Sequence, residues 1–280
     1  MRSSTNPKVL RKIASFAGEY EKHVFLPSME SVSYLLDRPS CFTDTHSVGV
    51  AWLEDSLLAL ASAPWYGYAR QGAPERYWRL AAQAIRQAAA KVGQHSPAFT
   101  EEIWSNFEVL CQHPKYCTLQ KDQEKNPIKP NKKMPVIKDL ASLHLEIENI
   151  MGYLRQNFEV DAATCHMYIK SRIRGMGDKT TAFLLRDIAW VYGLEGKGSL
   201  TNAYNASHIQ PIDIRVRQVA QCLWPQLEGR EWLVVAQHIV EQCSKADVSP
   251  IQFNQGAWYL GARIIRNASN FCQRLNQLDC

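Results

Sequence analysis

The segment IRGMGDKTTAFLLRDI, residues 173–188, decides how this chain folds. Gly175 and Gly177 lie in a short turn between two helical patterns. Asp161 can cap the first of these helices, and Lys179 opens the second. The first N–H groups of a helix have no partner within it, so this arrangement is typical of an anion-binding turn. The same glycines also suit a helix corner with a purely steric role.

Charged residues around the turn indicate which anion it would bind. Lys170, Arg172 and Arg174 lie beside it and supply charge suited to phosphate groups. Contacts of this kind hold a nucleic-acid backbone without reading its bases. Further along, IQPIDIRVRQVA at residues 209–220 places an isolated acid, Asp213, directly before another amphipathic helix.

Length and composition limit the classes of protein to which this chain can belong. With 280 residues, 46% of them hydrophobic, the chain can bury a substantial core as one large domain or as two lobes that share a cleft. No run of about 18 apolar residues predicts a membrane span, and the first 25 residues lack the apolar centre of a signal peptide. We therefore expect a cytoplasmic protein with no membrane partner. The net charge of +5 is compatible with a polyanionic partner.

The eight cysteines are scattered along the chain, at positions 41, 111, 117, 165, 222, 243, 272 and 280. They form no C-x-x-C pair and no Cys/His cluster at the spacing of a structural zinc site. In an intracellular protein we expect reduced, mostly buried thiols and no bound metal.

Hydrophobic periodicity predicts helices and gives no clear sign of strands. The helical patterns are clearest at residues 54–63, 75–92, 100–111 and 140–158. Residues 113–138 interrupt them with four prolines and seven lysines, a composition that predicts a flexible insert. The chain is therefore predicted to be all-α.

The two segments quoted above resemble a known family. RGMGDKTTAFLL is similar to the helix-hairpin-helix of the HhH-GPD superfamily of DNA glycosylases, and IQPIDIRVRQVA is similar to the second half of that superfamily's signature. The resemblance implies two helical lobes around a cleft. Lobe A would comprise residues 1–65 plus 214–280. Lobe B would comprise residues 66–213, with the insert at 113–138 and the helix-hairpin-helix at 162–192.

The spacing between Lys179 and Asp213, and two segments that contain tryptophans, resemble those of the archaeal 8-oxoguanine glycosylase branch of that superfamily. Asp213 follows Lys179 by 213 − 179 = 34 residues, as in a branch with extra structure between hairpin and aspartate. GAPERYWRL, which contains Trp78, and NQGAWYLGARII, which contains Trp258, resemble its early and late segments. There, two indoles enclose the flipped base. Indole rings are suited to enclosing a flipped base because they stack on it. Without the resemblance, Trp78 and Trp258 would both be assigned to the hydrophobic core.

Lys179 and Asp213 fit the chemistry that the resemblance implies. Cleaving an N-glycosidic bond leaves positive charge on the sugar, which a carboxylate at Asp213 would stabilise. A lysine at a helix N-terminus, near other cations, releases its proton more easily and can attack C1′ as a nucleophile. We therefore predict base excision followed by lyase activity at the abasic site. The simpler alternatives are an exposed helix lysine and an N-cap aspartate, although capping and catalysis are compatible at Asp213.

Two departures from the archaeal branch bear on the substrate. Arg186 stands where that branch has a second lysine near the base, and Asn254 stands where it has an aspartate. Both are predicted to bind the base, but with a different set of hydrogen bonds. Two substrates stay open: 8-oxoguanine, or a hydroxymethylated or glucosylated cytosine of phage DNA, as excised by bacterial defence glycosylases that resemble the superfamily.

Two further expectations and two rival functions complete the prediction. The four-cysteine cluster of the endonuclease III branch is absent, so we expect no iron–sulfur centre and no other cofactor. We also expect a monomer that acts in DNA repair or antiviral defence. The rivals are a non-catalytic helix-hairpin-helix module that only binds DNA, and a helical protein-interaction scaffold without salt-dependent affinity for DNA.

Overall fold

The described part of the chain consists of helices and their connections. The structure, a computed structural model, describes residues 6–68, 74–112, 135–265 and 270–277. No strand occurs within these ranges, which confirms the predicted all-α class. None of the helices in them combines the length and apolar character that crossing a membrane requires.

The helices that precede the predicted insert are α1 (Pro7–Ser15), α2 (Ala17–Tyr20), α3 (Leu26–Leu35), α4 (Thr45–Glu54), α5 (Ser56–Gly67), α6 (Pro74–Val92) and α7 (Phe99–Gln112). A π-helical segment, Glu21–Phe25, joins α2 to α3. The periodic segments at 75–92 and 100–111 correspond closely to α6 and α7.

The helices that follow the insert are α8 (Val136–Ile147), α9 (Ile150–Val160), α10 (Ala162–Arg172), α11 (Asp178–Val191), α12 (Ala203–His208), α13 (Ile214–Leu223), α14 (Trp232–Lys245), α15 (Pro250–Tyr259) and α16 (Phe271–Asn276). A π-helical segment, Leu260–Ile264, continues α15. Asp161 caps α10 as predicted, since its carboxylate accepts from the backbone N–H groups of Ala163 and Thr164.

The predicted helix over 140–158 is wrong in one respect, because the structure divides it into α8 and α9. Glu148 adopts a left-handed conformation with φ 58°, which ends α8. The Asn149 side chain then accepts from the backbone N–H of Gly152 and starts α9. Apolar residues on both sides of the break keep the helical period, so periodicity alone does not reveal it.

The predicted insert ends earlier than expected. Residues 113–134 lie outside the described residues, but 136–138 already belong to α8. Val136 and Ile137 are buried there, and Lys138 forms an ion pair with Glu101 at 2.6 Å. These apolar residues begin the helix directly after the last proline of the segment. The sequence prediction missed the start of α8 because the prolines and lysines before and after it are typical of a flexible insert.

Two clusters of buried apolar side chains form the described core. One draws on residues between Tyr20 and Ile209, together with Val240 and Ile251. The other joins α1 to residues that follow Ile212. Trp258 packs against both clusters. Residues 20–63 thus share a cluster with 66–209, whereas the division into lobes at 65 and 213, and the cleft between them, stay predictions.

The cysteines differ in part from the expectation of reduced thiols. Cys222 in α13 and Cys272 in α16 form a disulfide, with Cα atoms 5.1 Å apart. Their sequence separation of 50 residues gives no local signal of this pairing. The free thiols among the described residues are Cys41, which is exposed, and Cys111, Cys165 and Cys243, which are buried.

The contact between α1 and α15 generates a stability prediction. At Gly256 in α15, a Cβ atom would collide with the carbonyl oxygen of Ile13 in α1. We expect Gly256→Ala to lower the free energy of unfolding by about 1–3 kcal/mol, because backbone must move to admit the methyl group. Chemical denaturation of wild type and variant measures the difference.

Gly18→Ala is the matched control for this substitution. Gly18 also lies in a helix, α2, but a Cβ atom added there would meet no neighbouring atom within 4 Å. Alanine there should raise the free energy of unfolding by about 0.5–1 kcal/mol through its higher helix propensity. Equal stabilities for Gly256→Ala and wild type would contradict the close approach of α15 to α1.

Candidate active site

A cavity of about 390 Å³ contains every residue that the sequence assigns to catalysis or base binding. Its lining includes Lys179, Asp213, Trp78, Trp258, Asn254 and Arg186. These six lie on α6, α11, α15 and the segment before α13, and they span 180 positions of the chain (258 − 78). The fold thus brings together six side chains from four segments that are remote from one another in sequence.

Lys179 reaches the cavity from the first turn of α11. The turn before it holds Gly175 at φ 105°, a left-handed conformation that favours glycine. Gly177 is the N-cap of α11 and has no side chain with which to cap it. The Thr180 hydroxyl donates to the Gly177 carbonyl at 3.1 Å and fixes this first turn. Lys179 is partly buried at this position.

Asp213 reaches the cavity from the N-terminus of α13. Its Oδ1 accepts from the backbone N–H groups of Arg215 and Val216, each at 2.9 Å. The predicted N-cap is therefore present, and it fixes the carboxylate in one orientation. Pro211, two residues earlier, also lines the cavity.

Arg186 is almost completely buried and forms an ion pair with its neighbour Asp187. Its Nε donates to Asp187 Oδ1 at 2.8 Å, and its Nη2 donates to the Tyr20 hydroxyl at 2.8 Å. The Tyr20 hydroxyl donates in turn to Asp187 Oδ2 at 3.2 Å. Burial and the Asp187 carboxylate raise the pKa of Tyr20 well above its ordinary value, so the phenol stays protonated and can donate.

Asn254 continues this network towards the segment that carries Asp213. Its side chain is fully buried, and its Oδ1 accepts from Arg186 Nη1 at 3.1 Å. Its Nδ2 donates to the carbonyl oxygen of Pro211 at 3.2 Å. Arg186 and Asn254, both predicted to bind the base, are therefore hydrogen-bonded to each other.

Aromatic rings form much of the cavity wall. Trp258 is partly buried and meets Tyr20 edge to face, with ring centroids 5.7 Å apart. Trp78 is 3% exposed, and the Arg79 guanidinium lies 5.6 Å from the centre of its ring. Phe183 and Trp65 also line the cavity, and the centroids of their rings lie 5.1 Å apart. Both predicted stacking tryptophans thus contact the same space.

The three basic residues beside the glycine turn each pair with a carboxylate. Arg174 donates from Nε and Nη2 to Asp139, at 2.9 and 2.7 Å, and its backbone N–H also donates to Asp139. Arg172 pairs with Glu146, which lies in α8 as Asp139 does. All of these basic side chains are substantially exposed. Their predicted contact with phosphate stays a prediction.

A second network holds the residue next to Lys179. Asp178 accepts from Lys170 at 2.6 Å and lies 3.3 Å from His166 Nε2. Partial burial raises the pKa of Asp178, but the hydrogen bonds from Lys170 and His166 outweigh it and lower the pKa. His166 Nδ1 lies 2.9 Å from the His208 carbonyl oxygen, and the ring stacks on Trp232. The start of α11 is therefore anchored on the side of Asp178.

Sequence reasoning missed Tyr20 and several other residues that line the cavity, and it also missed Asp187, which belongs to the buried network beside it. Tyr20 and Asp187 complete the buried network, and the sequence offered one sign of it, the adjacent charges of Arg186 and Asp187 within an apolar helix. Nothing in the sequence around α2 marks Tyr20. The other missed lining residues are His23, Val24, Pro27, Ser28, Ser31, Trp65, Arg79, Phe183 and Arg263.

Comparison with known proteins gives no relative for this chain. No protein-family model, no curated protein and no solved structure matches it.

Proposed function

We propose that this protein is a DNA glycosylase with associated lyase activity, which excises a modified base from DNA. The observation that carries the proposal is the cavity that Lys179 and Asp213 share with two tryptophans. One amine, one oriented carboxylate and flat apolar walls are the groups that this chemistry needs. The cavity is formed within one chain, which supports action as a monomer, and a DNA substrate implies a cytoplasmic location.

Each reacting group has a defined part in the proposed reaction. As the bond between C1′ and the base breaks, the base leaves with the bonding electron pair and the sugar gains positive charge, which the Asp213 carboxylate stabilises. The unprotonated Lys179 amine forms a bond to C1′, and the C1′–O4′ bond then breaks as one proton of the amine passes to O4′, which leaves a Schiff base. The Schiff base permits β-elimination, in which a C2′ proton and the 3′ phosphate are lost. Hydrolysis of the imine then releases Lys179. The cap at Asp213 supports this assignment because a carboxylate fixed in advance needs no reorganisation.

The cavity size and lining support a flipped base as the ligand. A volume of about 390 Å³ lies in the range of pockets that enclose small organic molecules, roughly 300–1,000 Å³. Trp258 and Trp78 supply stacking surfaces, which offset part of the cost of unstacking a base. The base is 8-oxoguanine or a hydroxymethylated or glucosylated cytosine of phage DNA. The biological role is accordingly genome repair or antiviral defence.

Charge around the cavity supports contact with the DNA backbone. Arg79 and Arg263 line the cavity and are exposed. At the glycine turn, α11 begins without a side-chain cap, and the backbone N–H groups of its first turn are suited to binding a phosphate. Lys170, Arg172 and Arg174 would exchange their carboxylate partners for phosphates, which exposed ion pairs can do at little cost.

Asp213→Asn tests the electrostatic part of the proposal. Asparagine keeps the cap of α13 but removes the negative charge, so folding should be retained. We expect the rate of base excision to fall by about 100-fold or more, because one preorganised stabilising group is lost. Abasic sites formed in oligonucleotides with 8-oxoguanine and in glucosylated or hydroxymethylated phage DNA measure the rate.

Asp161→Asn is the matched control, since Asp161 caps α10 in the same way and does not line the cavity. It should excise bases at the wild-type rate. Equal rates for Asp213→Asn and wild type on every substrate would support the non-catalytic DNA-binding module instead.

Lys179→Gln separates lyase activity from DNA binding. Loss of the amine removes the nucleophile, so cleavage of DNA at a preformed abasic site should fall by about 10³-fold or more. Affinity for the same DNA, measured by fluorescence anisotropy, should be retained, because backbone contacts come from other groups.

The control for this variant is Lys91→Gln, at an exposed lysine of α6 that pairs with Glu102. It removes the same charge and should leave cleavage unchanged. Cleavage by Lys179→Gln at the wild-type rate would exclude Lys179 as the nucleophile.

A further inference from the structure

We infer that Arg186 and Asn254 are positioning residues, which hold Lys179 and Asp213 in register, and that they do not read the base. This inference rests on the proposed function and deepens it. The two residues form a relay, Arg186 to Asn254 to the Pro211 carbonyl oxygen, that joins the helix of Lys179 to the segment of Asp213.

Hydrogen-bonding capacity is the first argument for the relay. A guanidinium has five N–H groups, and Arg186 directs Nε and Nη2 to Asp187, Nη2 to Tyr20 and Nη1 to Asn254. On Asn254, the oxygen accepts from Arg186 and the nitrogen donates to Pro211. Each terminal nitrogen and oxygen atom of these two side chains therefore has a partner within the protein, and four of the five guanidinium N–H groups of Arg186 are directed to such partners.

The surroundings of the Arg186 charge are the second argument. Its guanidinium carbon lies 4.9 Å from the centre of the Tyr20 ring and 4.8 Å from that of Phe183. Asp187, fully buried, supplies the compensating charge. Burial lowers the pKa of Arg186, but the Asp187 carboxylate outweighs it and raises the pKa, so the guanidinium stays charged. The ion pair therefore fixes the orientation of the Arg186 guanidinium, as a positioning role requires.

The connectivity of the relay is the third argument. Arg186 follows Lys179 by seven residues in α11, which is about two helical turns, so both project from the same face. Pro211 precedes Asp213 by two residues, and Asp213 is fixed by its own cap. Two hydrogen bonds of 3.1 and 3.2 Å therefore span the gap between the elements that carry the reacting groups.

Base recognition then falls to other polar side chains that line the cavity, namely His23, Ser28 and Ser31. This assignment differs from the sequence prediction, which gave Arg186 and Asn254 that role.

Asn254→Asp tests the relay because it preserves the acceptor for Arg186 and removes the donor to Pro211. The decisive substrate is DNA with a preformed abasic site, which contains no base to read. We expect cleavage of this DNA and excision of a modified base to fall by the same factor, about 10- to 100-fold, since small misplacements of reacting groups cost that much. The KM for both DNAs and the order of preference among modified bases should not change.

Two further variants accompany Asn254→Asp. Asn254→Ala removes both hydrogen bonds without adding a charge, and it serves as the test if the aspartate variant does not fold by circular dichroism. Asn205→Asp is the control, because Asn205 accepts from the backbone N–H of Ala163 away from the cavity. It should cleave and excise at wild-type rates.

The outcomes separate the relay from the proposed function. Wild-type cleavage of abasic DNA by a folded Asn254 variant, with excision reduced or base preference altered, would show that Asn254 reads the base and would overturn the relay alone. Wild-type rates on both DNAs would also overturn it. If the wild-type protein processes neither modified nor abasic DNA, the proposed function fails, and the relay falls with it.

Discussion

The buried ion pair between Arg186 and Asp187 is the interaction on which the candidate site depends. Two charges without solvent are stable only when they are paired and their remaining hydrogen-bonding groups are satisfied. Tyr20 and Asn254 satisfy them, from α2 and α15 respectively. Because these partners come from distant parts of the chain, a single constraint brings the N-terminal helices, α11 and α15 together around one cavity. Removing Arg186 or Asp187 alone would leave an unpaired buried charge, so the cavity and the core are stabilised together.

The same constraint keeps polar side chains in place beside the two apolar clusters. Trp258 packs against both apolar clusters, and the cavity that it lines also receives Lys179 and Asp213. Lys179 and Asp213 each stand at the start of a helix, where backbone N–H groups can orient a carboxylate or attract a phosphate. The helix ends therefore supply the electrostatics, while the aromatic walls offer stacking surfaces. In the proposed function, these two contributions serve bond cleavage and base binding respectively.

Local signals predicted much of this arrangement, and long-range contacts account for what they missed. The all-α class, the caps at Asp161 and Asp213 and the turn before α11 follow from short stretches of sequence, because caps and glycine turns are local. Periodicity failed at Glu148, where a left-handed residue breaks a helix without breaking the apolar pattern. The disulfide between Cys222 and Cys272 and the partners of Arg186 join residues remote in sequence, so no spacing reveals them. The inferred positioning role of Arg186 rests on its ion pair with Asp187, a residue adjacent to it in the sequence.

The central claim is that Lys179 forms a covalent bond with the sugar in the cavity that it shares with Asp213. The most direct measurement is to react the protein with DNA containing an abasic site in the presence of borohydride, which reduces the Schiff base to a stable amine. Protease digestion and mass spectrometry then locate the attached sugar. We expect a single modified peptide that carries the remnant on Lys179. A remnant on another lysine, such as Lys170, or no covalent adduct at all, would contradict it.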